Sequence, residues 1–100
     1  MSKKVYSLLG LCQRAAMLSS GEFMTEKAVK NKTAKLVIIA TDSSKNTKKL
    51  FSNICLTNNI KLIEFGTKEE LGKSIGKDIR ASIGILDEGF AKTIFENTRN

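Results

Sequence analysis

Gly72-Lys73-Ser74 is the first triplet in this chain whose residue types suggest chemistry. It follows an apolar run, Lys61-Leu-Ile-Glu-Phe65, and resembles the end of a phosphate-binding loop. Such a loop places four residues between its first glycine and the Gly-Lys-Ser/Thr triplet. Here Gly66 and Gly72 are separated by five. The charges also disagree. A phosphate loop offers bare N–H groups at the start of a helix, whereas this one offers Glu69 and Glu70. Thr67-Lys-Glu-Glu70 has the form of a capping box, so the triplet is expected inside a helix that has already begun. Nucleotide chemistry is not expected of it.

The other usual reagents are scarce. The chain has no histidine, which removes His metal sites and the commonest general base. Its two cysteines, Cys12 and Cys55, sit among apolar residues at helical spacing. They read as buried reduced thiols, since two such residues build neither a disulfide framework nor a zinc site. Carboxylates, lysines and two thiols are what an enzyme would have to use. No enzymatic activity, cofactor or metal is expected.

Positive charge is the stronger signal. Residues 1–50 carry ten Lys/Arg against three Asp/Glu, and residues 51–100 carry seven of each. The whole surplus of +7 therefore lies in the first half. Such asymmetry marks a surface for a polyanion, nucleic acid before an anionic membrane. Lys27 and Lys30 fall three apart on one side of a helix, with Lys32 and Lys35 just beyond. Ser20-Gly21 precedes that helix and supplies a turn whose N–H donors suit a phosphate. Arg14, Lys45, Lys48 and Lys49 extend the field, or decorate exposed helix faces. One Tyr, no Trp and five Phe, most of them in apolar patterns, leave no stacking ladder for single-stranded RNA. Recognition of a folded element fits better.

The elements that must position these residues are legible in outline. Val5, Leu8, Leu9, Cys12 and Ala16 predict an amphipathic helix over 3–15. Met17 to Gly21 is a short segment ending in a turn. A second helix is expected over 22–30, with Met24 and Ala28 on its inward face. Lys35-Leu-Val-Ile-Ile-Ala40 is a β-branched run typical of a strand covered on both faces. Thr41-Asp-Ser-Ser44 offers caps for a third helix, with Leu50, Phe51, Ile54 and Cys55 apolar and Asn58-Asn59 as its stop. A strand at 62–65, a fourth helix to about Ile75, a strand at 82–86 and a helix capped by Asp87 complete the pattern. Strands alternating with helices predict one α/β domain over 1–100, a three-layer α/β/α sandwich. Its small mixed sheet would have about four strands and helices on both faces. Met1-Ser-Lys-Lys4 imitates the start of a signal peptide, but Gln13 and Arg14 interrupt the stretch that follows. No apolar run nears the ~20 residues of a membrane span, so a cytoplasmic soluble protein is expected.

Several segments occur together in a recognisable order. They are Leu8-Leu-Gly-Leu-Cys-Gln-Arg-Ala15, Ser20-Gly-Glu22, Lys27-Ala-Val29, Ala34-Lys-Leu-Val-Ile-Ile-Ala-Thr-Asp42, Asn46-Thr-Lys-Lys49, Glu70-Leu-Gly-Lys73 and Asp87-Glu-Gly-Phe-Ala-Lys92. In that order and spacing the chain resembles the kink-turn-binding ribosomal protein superfamily, and within it the bacterial YlxQ-type branch. The resemblance implies an α/β/α sandwich that binds structured RNA with a sharply bent internal loop; a monomer on ribosomal or ribosome-associated RNA is expected. It implies a first surface of Gly21, Glu22, Phe23, Met24 and Lys27, with Lys27 at a base edge. It implies a second of Lys77, Asp78, Ile79, Arg80 and Ala81, a loop that holds an unstacked nucleotide. Lys30 extends the first surface along the helix. Well-characterised members carry a polar pair at the position of Phe23-Met24, which cannot reproduce its hydrogen bonds. A bidentate pairing to one base is worth about 1–3 kcal/mol. Phe23 or Met24 could instead stack on a base, or Met24 could face the core.

Overall fold

A computed structural model describes residues 2–99. The elements run α1 (Ser2–Arg14), β1 (Leu18–Ser20), α2 (Glu22–Lys30), β2 (Leu36–Ile39), α3 (Lys45–Asn58), β3 (Lys61–Glu64), α4 (Lys68–Ser74), β4 (Ser82–Ile85) and α5 (Glu88–Thr98). The sheet has the order β1-β4-β2-β3. β4 runs antiparallel to both β1 and β2, and β3 runs parallel to β2.

Alternation along β2 builds the layers. Leu36, Ile38 and Ala40 pack with Val5, Leu9 and Cys12 of α1, Leu71 of α4, and Ala91 and Ile94 of α5. Val37 and Ile39 point the other way, to Ala28 and Val29 of α2 and to Phe51 and Cys55 of α3. With both faces covered, the strand is buried throughout, as a run without polar alternation requires. The expected three-layer sandwich and its mixed sheet are therefore present.

Local signals place the helix starts. The Ser44 side chain accepts from the Thr47 N–H to open α3, and that of Asp87 from Phe90 to open α5. Thr67 and Glu70 form the expected capping box. Asn59 ends α3 in the left-handed conformation at φ 59°, a conformation Asn tolerates well. Two expectations need correction. Ala16 lies beyond α1, exposed and at φ 60°, so it does not continue the apolar stripe. Leu18–Ser20 is an edge strand rather than only the lead into a turn. Three residues show no usable alternation, and the partner strand lies more than 60 positions away.

Both thiols are buried and free. Burial, and for Cys12 the nearby Asp87 charge, pushes each up to about 11. Neither is a thiolate nucleophile at neutral pH.

Tyr6 joins α1 to the capping box, its hydroxyl donating to Glu70 Oε1 at 2.8 Å. The Tyr6 hydroxyl, then the Thr67 N–H, hold the Glu70 carboxyl below its ordinary value. Burial and then the Glu70 bond push Tyr6 up to about 12. Glu70 thus contributes stability that is present above the ordinary carboxylate range and lost as pH falls through its lowered value. Tyr6 contributes stability that is complete below about pH 10 and lost as pH rises toward 12. Tyr6→Phe is expected to flatten both arms. Urea unfolding at pH 3, 7 and 11 measures this; an unchanged pH profile would show that the pair contributes nothing.

Candidate functional site

One end of the sheet gathers the segments that sequence alone could only name separately. The Gly21 N–H donates to the Ser82 carbonyl at 3.0 Å, which ties the start of α2 to the start of β4. Arg80 Nε donates to Ser20 Oγ at 3.2 Å, and its guanidinium also returns to the Ile79 carbonyl at 2.8 Å. The Ala81 carbonyl accepts from the Ala40 N–H and from Ser43 Oγ. Thr47 Oγ1 donates to Glu22 Oε1 at 3.3 Å, so α3 joins the same rim. The segments 21–24 and 77–81, far apart in the chain, are thereby neighbours.

Gly21 sits at φ 89° and ψ 160°, a region essentially reserved for glycine. From there its carbonyl accepts the Thr25 N–H and begins α2. No side chain caps this helix, unlike α3, α4 and α5. The N–H groups of Glu22, Phe23 and Met24, ahead of that first bond, have no intrahelical acceptor. They and the helix dipole favour an anion. The Gly21 N–H itself is taken by Ser82, which removes one donor assigned to the turn. A Cβ at Gly21 would meet no atom within 4 Å, so an added methyl costs only backbone strain. Gly21→Ala is expected to lose about 1–3 kcal/mol, read as a lower melting temperature. An unchanged melting temperature would mean that the segment relaxes freely.

The buried residues of α2 are Thr25, Ala28 and Val29. Met24 is not among them. It is 49% exposed, which corrects its expected place on the inward face. Phe23 and Ile79 are exposed as well, at 75% and 58%. Half of the exposed large apolar residues of the described chain therefore belong to this one rim. Lys27 is exposed and makes no ion pair among the described residues. Lys30 is held by Glu26 at 2.7 Å, which offsets its charge. Lys27 is the better placed cation. Lys77 and Asp78 are exposed, and Ala81 is partly buried with its carbonyl turned inward to Ala40 and Ser43.

The loop that carries these residues rests on α4. Its Lys77 N–H donates to the Gly72 carbonyl at 2.8 Å, and its Arg80 N–H to that of Lys68 at 3.0 Å. A Cβ at Gly72 would lie 1.4 Å from the Asp78 carbonyl oxygen. Gly72 is therefore the clearance over which the loop crosses. Lys73 and Ser74 follow it within the helix, as expected. Ser20, Ser43 and Thr47 brace the rim. No local pattern in the sequence marks them as braces, because each partner is distant along the chain.

No group of three or more His, Cys, Asp or Glu residues able to hold a metal occurs among the described residues. No described helix is long and apolar enough to cross a membrane. The described residues thus form an α/β/α sandwich that gathers an uncapped helix start, a lysine without an ion pair among them and exposed apolar side chains. The chain belongs to the Ribosomal protein L7Ae/L30e/S12e/Gadd45 family, which it matches over residues 3–95.

Relatives place it more closely. The RNA-binding protein YlxQ of Bacillus subtilis (strain 168) is 36% identical over 89 residues, covering 89% of each chain. The RNA-binding protein YlxQ of Enterococcus faecium is 38% identical over 90 residues, covering 90% of this chain and 86% of its own. A solved structure from Bacillus halodurans C, described as a protein with unknown function, superposes with a TM-score of 0.93 at 37% identity. That match covers 97% of this chain and 98% of the other. The Giardia lamblia 15.5kD RNA binding protein shares the fold, with a TM-score of 0.81 at 19% identity over 95% and 82% of the two chains.

Proposed function

We propose that this protein binds structured RNA without catalysing a reaction, and that its target is a kink-turn-like or otherwise bent internal loop in ribosomal or ribosome-associated RNA. The observation that carries this reading is the convergence of the uncapped start of α2 with the loop at 77–81, beside Lys27, which makes no ion pair among the described residues. Phosphates meet the N–H groups of Glu22, Phe23 and Met24, Lys27 reaches a phosphate or base edge, and Ile79 packs on an exposed base. Membership of a family whose named relatives bind RNA supports it. A bend in the RNA would bring two backbone segments to the two neighbouring protein segments. Titration of the protein against bent internal-loop RNAs and a plain duplex, at two salt concentrations, is the test. Preference for the bent RNA at both salts is expected. Equal, weak and steeply salt-dependent affinity for all of them would reduce the protein to a general polyanion binder.

Exposure of both Phe23 and Met24 favours a second reading, a protein-interaction or assembly module on the same fold. Association with a partner protein that survives nuclease treatment would select it.

A further inference from the structure

Phe23 is the most exposed aromatic residue of the candidate rim, and the hydrogen bonds that brace the rim do not involve it. It lies on the face of α2 turned away from the sheet, with Glu26, Lys27, Lys30 and Asn31 at the steps of three, four, seven and eight that share a helix face. These five residues line an open groove of about 320 Å³. Glu26 and Lys30 close on each other at 2.7 Å, so the carboxylate's repulsion of an anion is offset. Lys27 stands one helical turn from Phe23 and, among the described residues, makes no ion pair. Asn31 adds an amide that both donates and accepts.

An occupant of this groove needs a flat apolar face for Phe23, an anionic group near Lys27 and a polar edge for Asn31. An unpaired nucleotide has all three. We propose that the outer face of α2 holds an unpaired nucleobase of the bound RNA, stacked on Phe23, with its phosphate at Lys27. This rests on RNA binding by the protein, and extends the footprint from the first turn of α2 along the helix to Asn31. Because a phenyl ring makes no hydrogen bonds, stacking here tolerates any base. A protein partner would ask for a contiguous apolar patch, but three of the groove's five positions carry charge. Met24 lines an adjoining hollow with Ser19, Ala28, Thr33 and Leu86, and Lys27 and Asn31 stand between it and the groove.

The chain has no tryptophan, so Phe23→Trp places a single indole in the groove. The protein and its Phe23→Trp, Phe23→Ala and Lys27→Ala variants are titrated with bent internal-loop RNAs. A matching set carries an abasic site at each unpaired position in turn. Phe23→Ala is expected to bind roughly 5- to 150-fold more weakly, while Phe23→Trp keeps native affinity and its indole is quenched by RNA. One abasic position should erase the difference between the native protein and Phe23→Ala. Native affinity of Phe23→Ala with an unquenched indole, while Lys27→Ala binds weakly, would overturn stacking and leave RNA binding intact. No RNA binding by the native protein would overturn both. Burial of the indole as protein concentration rises without RNA would assign the face to a second copy of the chain and also overturn the proposal. Circular dichroism of each variant separates these outcomes from misfolding.

Discussion

Gly72→Ala is expected to produce the largest loss of stability from one added methyl group, together with weakened RNA binding. The new Cβ would stand 1.4 Å from the Asp78 carbonyl oxygen, 2.5 Å from the carbonyl carbon and 3.0 Å from the Ile79 Cα. All three are backbone atoms, so no side-chain rotation relieves the clash. The crossing segment must retreat by roughly 2 Å to reach ordinary van der Waals separation. It is pinned on both sides of the clash, by Lys77 to Gly72 and by Arg80 to Lys68. Overpacking commonly costs about 1–3 kcal/mol, and rigid neighbours put this case at the upper end. For a domain of this size that is a fall in melting temperature of roughly 10–20 °C. Retreat of the loop also strains the contact of Arg80 with Ser20, so affinity for bent RNA should drop with it. Thermal unfolding and RNA titration of the same variant check both parts. Native values in both would mean that the loop has a second position of equal energy.

The second large effect concerns Lys27. Lys27→Ala is expected to weaken binding to bent RNA about ten- to 150-fold, the scale of a charge-assisted hydrogen bond of about 1.5–3 kcal/mol. Lys30→Ala should cost less, because its ammonium already pairs with Glu26. Lys92→Ala should cost least. Lys92 lines a cleft with Lys32, Lys35, Asn59 and Ile60, at the end of the sheet where β2 and β3 begin. The candidate rim lies where those strands finish. Salt dependence adds a mechanism. If Lys27 neutralises a phosphate, its removal lowers the salt slope by about 1; if it reads a base edge, the slope holds while the preference for bent RNA falls. Equal losses from all three alanine variants would mean a diffuse basic field and no site.

How much of this is legible in the sequence follows the range of the signals. Caps are local: Ser44, Thr67 with Glu70, and Asp87 each bind an N–H three residues on. Such bonds leave their pattern in adjacent letters. The double-sided burial of Leu36–Ile39 is local too, since a run without polar alternation fits only a strand with cover on both faces. Met24 is harder. Spacing of four from Ala28 suggests an inward face, but the turn of α2 against the sheet puts Thr25, Ala28 and Val29 inward and leaves Met24 at the rim. Which stripe of a weakly amphipathic helix is buried depends on what it packs against.

The α/β/α class, most element boundaries to within a residue or two, the buried thiols, the helical setting of Gly72-Lys73-Ser74 and the surplus of positive charge are legible in the letters alone. Composition and short-range periodicity carry those properties. Tertiary packing is what pairs β1 with β4, brings Ser20 to Arg80 across 60 positions and makes Gly72 a clearance. Each of these depends on two segments that approach only when the chain is packed. A glycine needed for a close crossing and a glycine at a phosphate loop are the same letter, and the backbone passing above it tells them apart.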